Sequence, residues 1–246
     1  MSLLEEIEKT LTKRRMHFTL IDPDKQSPSQ AGEIAASVEK AGSDAIMVGG
    51  STGVDFTSVD RTVSAIKSRC NLKVILFPGS AKGITPRADA IFFMSMLNSR
   101  KREFIIGQQV MASRIVKMMN LEPIPMAYVV VSPGMRVGEV GDAILLDRDD
   151  SEGAISYALA AQFMGMRLFY LEAGSGAPEH VPPKLVRAVK NEAQIPVIAG
   201  GGIRTPQDAR TLLEAGADII VTGTLVEKSD DVTLAISKIT DVVRSF

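Results

Sequence analysis

The sequence predicts an α/β protein, a closed barrel of eight parallel strands with helices outside, known as the (β/α)8 or TIM barrel. Short apolar runs alternate with segments of helical periodicity along the whole chain, which is the pattern of a parallel sheet. These runs are hydrophobic at nearly every position, as strands buried on both faces are. The length of 246 residues suits one such barrel, for which about 250 residues are typical. We therefore expect a single domain over residues 1–246.

Eight apolar runs are the predicted strands. They are His17–Ile21, Ala45–Val48, Lys73–Phe77, Ala90–Met94, Pro125–Val131, Leu168–Glu172, Ile195–Ala199 and Ile219–Thr222. Seven segments have the apolar spacing of amphipathic helices. They are Pro28–Ala41, Thr57–Ser68, Glu103–Met119, Glu152–Met164, Pro183–Asn191, Pro206–Ala215 and Val232–Arg244. Ser27 and Ser151 are predicted to cap the first and fourth of these helices.

The connection between the third and fourth strands differs in composition from the others. Phe77–Ala90 reads FPGSAKGITPRADA, with two glycines, two prolines and few apolar residues. A parallel crossover is usually a helix, but this segment has room for little more than one helical turn. We therefore predict an extended loop in place of the third outer helix. The groove left on the barrel flank would accept a long apolar ligand, and a shortened, well-covered loop is the alternative.

Composition and charge exclude several classes of protein. The net charge is −1, so we expect no bulk attraction to nucleic acid or to an anionic membrane. The one cysteine, Cys70, excludes an internal disulfide and a multi-cysteine metal site. The charged N-terminus lacks the apolar core of a signal peptide, and no apolar run reaches the roughly 18 residues of a membrane span. We expect a soluble cytoplasmic protein, although its substrate could still be a lipid at a membrane surface.

Two strand ends in the last quarter of the chain predict a phosphate-binding site. From Ile195 to Thr224 the sequence reads IPVIAGGGIRTPQDARTLLEAGADIIVTGT. One apolar run ends in three glycines, Gly200–Gly202, and the next ends in Gly223 and Thr224. Glycine lets a ligand oxygen approach backbone N–H groups closely, and helix N-termini bind anions. The loops after the seventh and eighth strands of a (β/α)8 barrel often bind phosphate, so we predict a phosphate cradle here.

Polar residues at the ends of the first two strands are predicted to lie on the same face. Asp22 and Asp24 could hold Mg²⁺, which prefers one or two carboxylates together with waters and phosphate oxygens. The alternative is a turn in which Lys25 pairs with Asp24, and we favour it for Asp24 but not for Asp22. The second strand exits into GGSTG, where the hydroxyl of Ser51 or Thr52 could lie close to a metal or phosphate.

Glu172 is the candidate general base. It closes an apolar strand before AGSGA, and partial burial would raise its pKa and suit it to this role; a structural ion pair is the alternative. The hydroxyl of Tyr170 can contact a substrate or merely pack. Arg100–Arg102, together with Asn98 before them, could contact a diphosphate, or this basic run could begin a solvated helix. His17 is predicted to have no catalytic role.

Six motifs in the correct order resemble the geranylgeranylglyceryl phosphate synthase family, whose related bacterial members make heptaprenylglyceryl phosphate. They are LIDPDK, VGGSTG, LNS, FYLEAGSG, AGGGIRT and VTGT, from Leu20 to Thr224. The combination is specific, whereas GGGIRT and VTGT alone occur in many phosphate-binding barrels. The segment Ser132–Asp150 resembles the archaeal-type branch. Leu20 stands where some relatives carry a lysine, so a phosphate contact from that position is not available.

The resemblance implies a prenyltransferase that forms ether lipids and uses Mg²⁺. The 3-hydroxyl of sn-glycerol 1-phosphate would attack C1 of a polyprenyl diphosphate, here geranylgeranyl diphosphate, and an ether would form as diphosphate leaves. By the family pattern, Asp22 and Ser51 would bind the metal and Glu172 would take the hydroxyl proton. The implied substrate-binding residues are Tyr170, Leu171, Glu172, Ala173, Gly174, Ser175, Gly176, Gly201, Gly202, Gly223 and Thr224.

Three alternatives remain open from the sequence: a synthase for a longer prenyl chain, another phosphate-handling barrel isomerase or lyase, and a non-catalytic phosphometabolite-binding protein. Asp22 beside Ser51 favours prenyl transfer over an isomerase. The convergence of three acidic or hydroxyl strand ends favours an enzyme over a binding protein. We also expect a symmetric homo-oligomer, because closed symmetric assemblies are common among soluble proteins.

Overall fold

Eight parallel strands form a closed barrel in which each strand pairs with its sequence neighbour and β8 pairs with β1. The computed structural model describes residues 1–50 and 55–246. The strands are β1 (Met16–Ile21), β2 (Ala45–Val48), β3 (Lys73–Leu76), β4 (Ala90–Met96), β5 (Glu122–Val130), β6 (Leu168–Glu172), β7 (Val197–Gly200) and β8 (Ile219–Thr222). The predicted (β/α)8 fold is confirmed, and the strand ends move by a few residues.

The predicted helices are all present, and three short ones were not predicted. In the described residues the helices are α1 (Leu3–Leu11), α2 (Pro28–Lys40), α3 (Phe56–Lys67), α4 (Gln108–Met118), α5 (Met135–Val140), α6 (Ser151–Phe163), α7 (Pro183–Glu192), α8 (Pro206–Glu214), α9 (Thr224–Lys228) and α10 (Val232–Arg244). A π-helical turn leads into α4. The prediction that Ser151 caps α6 is wrong, because Asp150 accepts the N–H of Gly153 at 2.7 Å. Over the described ranges, none of these helices combines the length and apolarity needed to cross a bilayer.

The interior of the barrel is filled by apolar side chains. Every strand contributes to one buried cluster, with Phe18, Met47, Ile75, Phe92, Met126, Leu168, Ile198 and Ile219 as examples. The unpredicted helix α1 adds Leu3, Leu4 and Ile7 to this cluster. The backbone N–H groups of Leu3 and Leu4 donate to the carboxylate of Glu122 at 2.7 and 2.8 Å. Since Glu122 begins β5, α1 is fixed at the amino-terminal end of the barrel, and the opposite rim is left for ligands.

Residues 77–89 connect β3 to β4 without a helix, as the sequence predicted. Thr85 is buried in this loop and donates to Asp60 of α3 at 2.5 Å, and Arg87 pairs with the same carboxylate at 3.0 Å. Both contacts lower the pKa of Asp60, and the hydrogen bond from Thr85 has the larger effect. The loop is therefore fastened to α3 on one side, and its other side faces a groove against β4 and α4.

A buried polar network lies on the outer side of β1. His17 is fully buried; its Nδ1 lies 2.7 Å from Ser43 Oγ, and its Nε2 lies 2.9 Å from Thr222 Oγ1. Burial lowers the pKa of His17 to about 4, although the nearby charge of Asp44 acts in the opposite direction. His17 is therefore neutral in the fold at neutral pH and has a structural role, in agreement with its position near the start of the strand.

We expect the free energy of unfolding to fall as the pH drops from 6.5 toward 4. In this range the unfolded chain protonates His17 and the folded chain does not, so the folded state loses roughly 3 kcal/mol. Denaturant titrations across this pH range measure the slope. His17→Gln keeps a donor and an acceptor and should flatten it, whereas His180→Gln should not. An equal slope in His17→Gln and the wild type would contradict the assignment.

Candidate active site

Three connected cavities open at or beside the carboxyl ends of the strands. The phosphate pocket, of about 410 Å³, lies among the loops after β6, β7 and β8. The central cavity, of about 760 Å³, runs from Asp22 past Glu172 to Phe77. The flank groove, of about 460 Å³, lies between the 77–89 loop, β4 and α4. Glu172 lines both the phosphate pocket and the central cavity, and Met94 lines both the central cavity and the flank groove.

Four glycines, Gly176, Gly201, Gly202 and Gly223, contribute to the wall of the phosphate pocket. Gly201 and Gly202 adopt φ of +79° and +71°, which favours glycine, and Gly223 faces them from the end of β8. A Cβ on Gly202 would lie 2.3 Å from the carbonyl oxygen of Glu179. The two glycine-rich strand ends singled out in the sequence therefore meet in one pocket, because β7 and β8 are neighbours.

Arg204 fastens one side of the phosphate pocket. Its Nη1 donates to the carbonyl of Pro178 at 2.8 Å, and its Nη2 donates to the carbonyl of Gly176 at 3.3 Å. These bonds tie the loop after β6 to the loop after β7. No carboxylate of the described residues forms an ion pair with Arg204, so its positive charge borders the pocket without an acidic partner. The motif GGGIRT contains this residue, but sequence reasoning gave it no role.

Glu172 is buried at the junction of the phosphate pocket and the central cavity. Its Oε1 accepts the backbone N–H of Gly174 at 2.6 Å. Burial raises the pKa of Glu172, and the hydrogen bonds from Gly174, Tyr170 and Tyr128 act against this rise. A carboxylate with a raised pKa and a fixed orientation is a suitable proton acceptor for a hydroxyl substrate.

An aromatic cluster surrounds the carboxyl group of Glu172. The ring centroids of Tyr128 and Tyr170 are 5.1 Å apart, and Phe77 stacks on Tyr170 at 5.9 Å. Burial, followed by the charge of Glu172, raises the pKa of both tyrosines well above its ordinary value, so both remain neutral donors. Sequence reasoning missed Tyr128 and Phe77. Tyr128 pairs in register with Tyr170 on the neighbouring strand, and this pairing is set by the tertiary structure.

The predicted substrate residues between 170 and 176 divide into three groups. Tyr170, Glu172, Ser175 and Gly176 line the phosphate pocket, and Ser175 Oγ lies 3.2 Å from the hydroxyl of Thr224, which lines it too. Leu171 and Ala173 belong instead to a core cluster under the outer helices, and Gly174 reaches the site through its backbone N–H.

Asp22 lies at the polar end of the central cavity. Its Oδ1 accepts the N–H of Asp24 at 3.0 Å, and burial raises its pKa. The suggested pairing of Lys25 with Asp24 is not seen, because Lys25 Nζ pairs with Glu227 at 2.9 Å and lies 4.0 Å from Asp22 Oδ2. Ser51, the other predicted metal ligand, and Thr52 fall outside the described residues.

The two candidates for contact with a diphosphate, Asn98 and the basic run Arg100–Arg102, form structural contacts within the fold. The buried side-chain amide of Asn98 donates to the carbonyls of Val130 and Ile144, both at 2.9 Å. Asn98 thus links the end of β5 to the segment that follows it. Part of Ser132–Asp150 therefore helps to form the rim. Arg100 pairs with Asp142, and none of Arg100–Arg102 lines the three cavities.

A buried carboxyl group between a glycine-rich pocket suited to an anion and a second, largely apolar cavity is typical of one class of protein, a phosphate-binding (β/α)8-barrel enzyme with a candidate general base. The chain belongs to the PcrB family, whose pattern it matches over residues 9–243. The resemblance found in the sequence is therefore confirmed.

Named relatives are similar over almost the whole chain. The geranylgeranylglyceryl phosphate synthase of Thermoplasma acidophilum is 52% identical over 99% of this chain and 96% of its own length. The enzyme of the same name from Thermococcus kodakarensis is 53% identical over 97% and 94%. A crystal structure of the Thermoplasma acidophilum enzyme in complex with its substrate sn-glycerol-1-phosphate superposes with a TM-score of 0.98, at 52% identity and full coverage of both chains.

We expect Gly223→Ala to weaken binding of inorganic phosphate by ~10-fold or more without unfolding the chain, because the methyl group would narrow the pocket. Gly223 has a φ of −126°, and an added Cβ would lie 3.4 Å from Leu20 Cβ, an ordinary contact. Calorimetric titration and thermal melting measure the two effects. Gly107→Ala, whose added Cβ is also unobstructed, is the matched control. Wild-type affinity in Gly223→Ala would argue against this pocket.

Proposed function

We propose that this protein transfers a geranylgeranyl group from its diphosphate to the 3-hydroxyl of sn-glycerol 1-phosphate, as a geranylgeranylglyceryl phosphate synthase. The named relatives support this substrate pair, and one of them binds sn-glycerol-1-phosphate. One observation carries the proposal: Glu172 lines both a pocket suited to a small phosphate ester and a cavity suited to a prenyl diphosphate.

The phosphate pocket orients the acceptor. Backbone N–H groups of the loops at Gly201, Gly202 and Gly223 would donate to the phosphate oxygens, and the charge of Arg204 would favour the anion. The glycerol part would then extend along β6 toward Glu172. An acceptor fixed by its phosphate has its hydroxyl held close to the base, which lowers the entropic part of the barrier.

Glu172 is the proton acceptor of the transfer step. The acceptor oxygen forms a bond to C1 of the prenyl chain, the bond from C1 to the diphosphate oxygen breaks, and diphosphate leaves with the electron pair. The hydroxyl proton passes to the Glu172 carboxylate. Phe77 and Tyr128 line the same cavity, and aromatic faces stabilise positive charge such as that which develops on an allylic carbon.

The prenyl chain would pass from the central cavity into the flank groove. Met94, Met96 and Phe104 line both spaces, so the apolar surface is continuous. Each buried CH₂ group contributes about 0.8 kcal/mol, so a twenty-carbon chain would supply much of the affinity. The relatives described above carry the geranylgeranyl name, which favours this chain length over the longer heptaprenyl alternative and over an isomerase or lyase.

Magnesium is part of the proposal, with Asp22 as its ligand and Ser51 as the second ligand by family pattern. Asp22 presents a carboxylate to the central cavity, and Mg²⁺ is often bound by one or two carboxylates together with substrate phosphates and water. No group of three or more His, Cys, Asp and Glu side chains within residues 1–50 and 55–246 could hold a metal, so phosphate oxygens would complete the coordination. Bound magnesium would neutralise charge on the departing diphosphate.

A homo-oligomer in the cytoplasm also remains part of the proposal. Val110, Met111 and Met118 of α4 are 64%, 55% and 83% exposed. Exposed apolar patches mark surfaces that a partner subunit or a membrane covers, so this helix is a candidate for subunit contact or for contact with the membrane that holds the lipid substrate.

We expect the purified protein with Mg²⁺, sn-glycerol 1-phosphate and geranylgeranyl diphosphate to form the ether, detected by mass spectrometry. Glu172→Gln should lower kcat by about 100-fold or more, since it removes the general base, and should leave glycerol phosphate affinity within a few-fold. Glu179→Gln, an exposed carboxyl on the loop after β6, is the control. Absence of ether from the wild type would overturn the function, and a wild-type kcat in Glu172→Gln would overturn the role of Glu172.

We expect Asp22→Asn to raise the Mg²⁺ concentration for half-maximal rate by ~10-fold, because an amide binds this ion more weakly than a carboxylate. Asp24 is the neighbouring exposed carboxylate, so Asp24→Asn is the matched control and should show the same Mg²⁺ dependence of the rate as the wild type. Circular dichroism checks that both variants are folded. Identical magnesium curves for Asp22→Asn and the wild type would remove Asp22 from the metal site.

A further inference from the structure

The polar end of the central cavity carries more negative than positive charge. Asp22 and Glu227 both line it, and Glu172 lies further in. Lys25 is the single cationic side chain that residues 1–50 and 55–246 contribute to this cavity. A prenyl diphosphate entering here would bring several further negative charges, which require neutralisation.

Lys25 is held at this end by Glu227 of α9, a residue that is distant in sequence. Its Nζ lies 2.9 and 3.0 Å from the two carboxylate oxygens of Glu227 on α9, and 4.0 Å from Asp22 Oδ2. The Lys25 side chain is 43% exposed, whereas those of Glu227 and Asp22 are only 18% and 16% exposed. The ammonium group therefore lies between two shielded carboxylates, with solvent and the cavity on its open side.

The backbone under Lys25 is fixed. Its N–H donates to the carbonyl of Asp22 at 3.0 Å, and the N–H of Gln26 donates to the same carbonyl at 3.2 Å. The Gln26 side chain in turn accepts the N–H of Asp22 at 3.1 Å. This turn fixes the position of the Lys25 Cα, so the Lys25 Nζ can move only through rotation within its side chain.

We infer that Lys25 binds the diphosphate of the prenyl substrate and that Glu227 holds the Lys25 ammonium in position to do so. An ammonium has three N–H donors, so it can keep a bond to Glu227 while it donates to a diphosphate oxygen. Asp22 is then free for the metal, because its 4.0 Å contact with Lys25 is loose. This inference deepens the proposed function and rests on it. It assigns to Lys25 and Glu227 roles that are separate from proton transfer and from metal binding.

Calorimetric titration with inorganic pyrophosphate in the presence of Mg²⁺ tests this directly. Lys25→Met should weaken pyrophosphate binding by ~10-fold or more, and Lys25→Arg should recover most of the loss because it restores the charge. Binding of sn-glycerol 1-phosphate should be unchanged in both variants. Lys184→Met is the matched control, since it removes an exposed lysine that pairs with Asp149 away from the three cavities. Wild-type pyrophosphate affinity in Lys25→Met would overturn the inference.

A double variant separates direct binding from simple neutralisation of Glu227. Lys25→Met with Glu227→Gln removes the unpaired carboxylate that the single variant leaves, and we expect pyrophosphate binding to stay weak. Return to wild-type affinity would overturn the role of Lys25 as a ligand. With product formation as the readout, Lys25→Met should raise KM for geranylgeranyl diphosphate and leave KM for the acceptor unchanged. The ether assay on the wild type decides the proposed function separately, so the two failures are distinguishable.

Discussion

The pairing of β8 with β1 is the constraint on which this site depends. Closure brings all eight carboxyl ends to one rim, and the apolar interior, blocked at the other end by α1, leaves that rim as the place for polar chemistry. Lys25 and Glu227, which are 202 positions apart in the chain, thereby come within hydrogen-bond distance. The catalytic chemistry is in this sense a consequence of barrel geometry.

The two sides of the rim at the carboxyl ends of the strands differ in their charge. On one side, a glycine-rich wall and Arg204, which forms no ion pair with a carboxylate of residues 1–50 or 55–246, provide an environment for one anion. On the other side, the carboxylates of Asp22 and Glu227 flank Lys25, which is the one cationic side chain that the described residues place there. Glu172 lies between the two sides, in a desolvated position that raises its pKa. An anionic acceptor and an anionic donor could thus bind close together without their charges sharing one pocket.

Because no helix connects β3 to β4, an apolar groove is open on the flank of the barrel. A helix at this place would cover β4 and the side chains of Met94 and Phe104 that now line the groove. The 77–89 loop takes its place, and Asp60 anchors Thr85 and Arg87 of this loop to α3. An apolar chain bound along this path would leave water, and that transfer is the main source of affinity for a lipid substrate.

Local periodicity and turn chemistry were sufficient to predict the strand count, the longer outer helices, the helix-free crossover and the glycine-rich loops after β7 and β8. The sequence also singled out Glu172 and Asp22, since a carboxylate at the end of an apolar strand stands out in the chain. It missed α1, whose role depends on distant Glu122, and it missed Tyr128, which becomes relevant only in register with Tyr170. The pairing of Lys25 with Glu227 and the orientation of Leu171 toward the outer core arise only in the closed barrel, because barrel closure and strand register set which distant side chains meet.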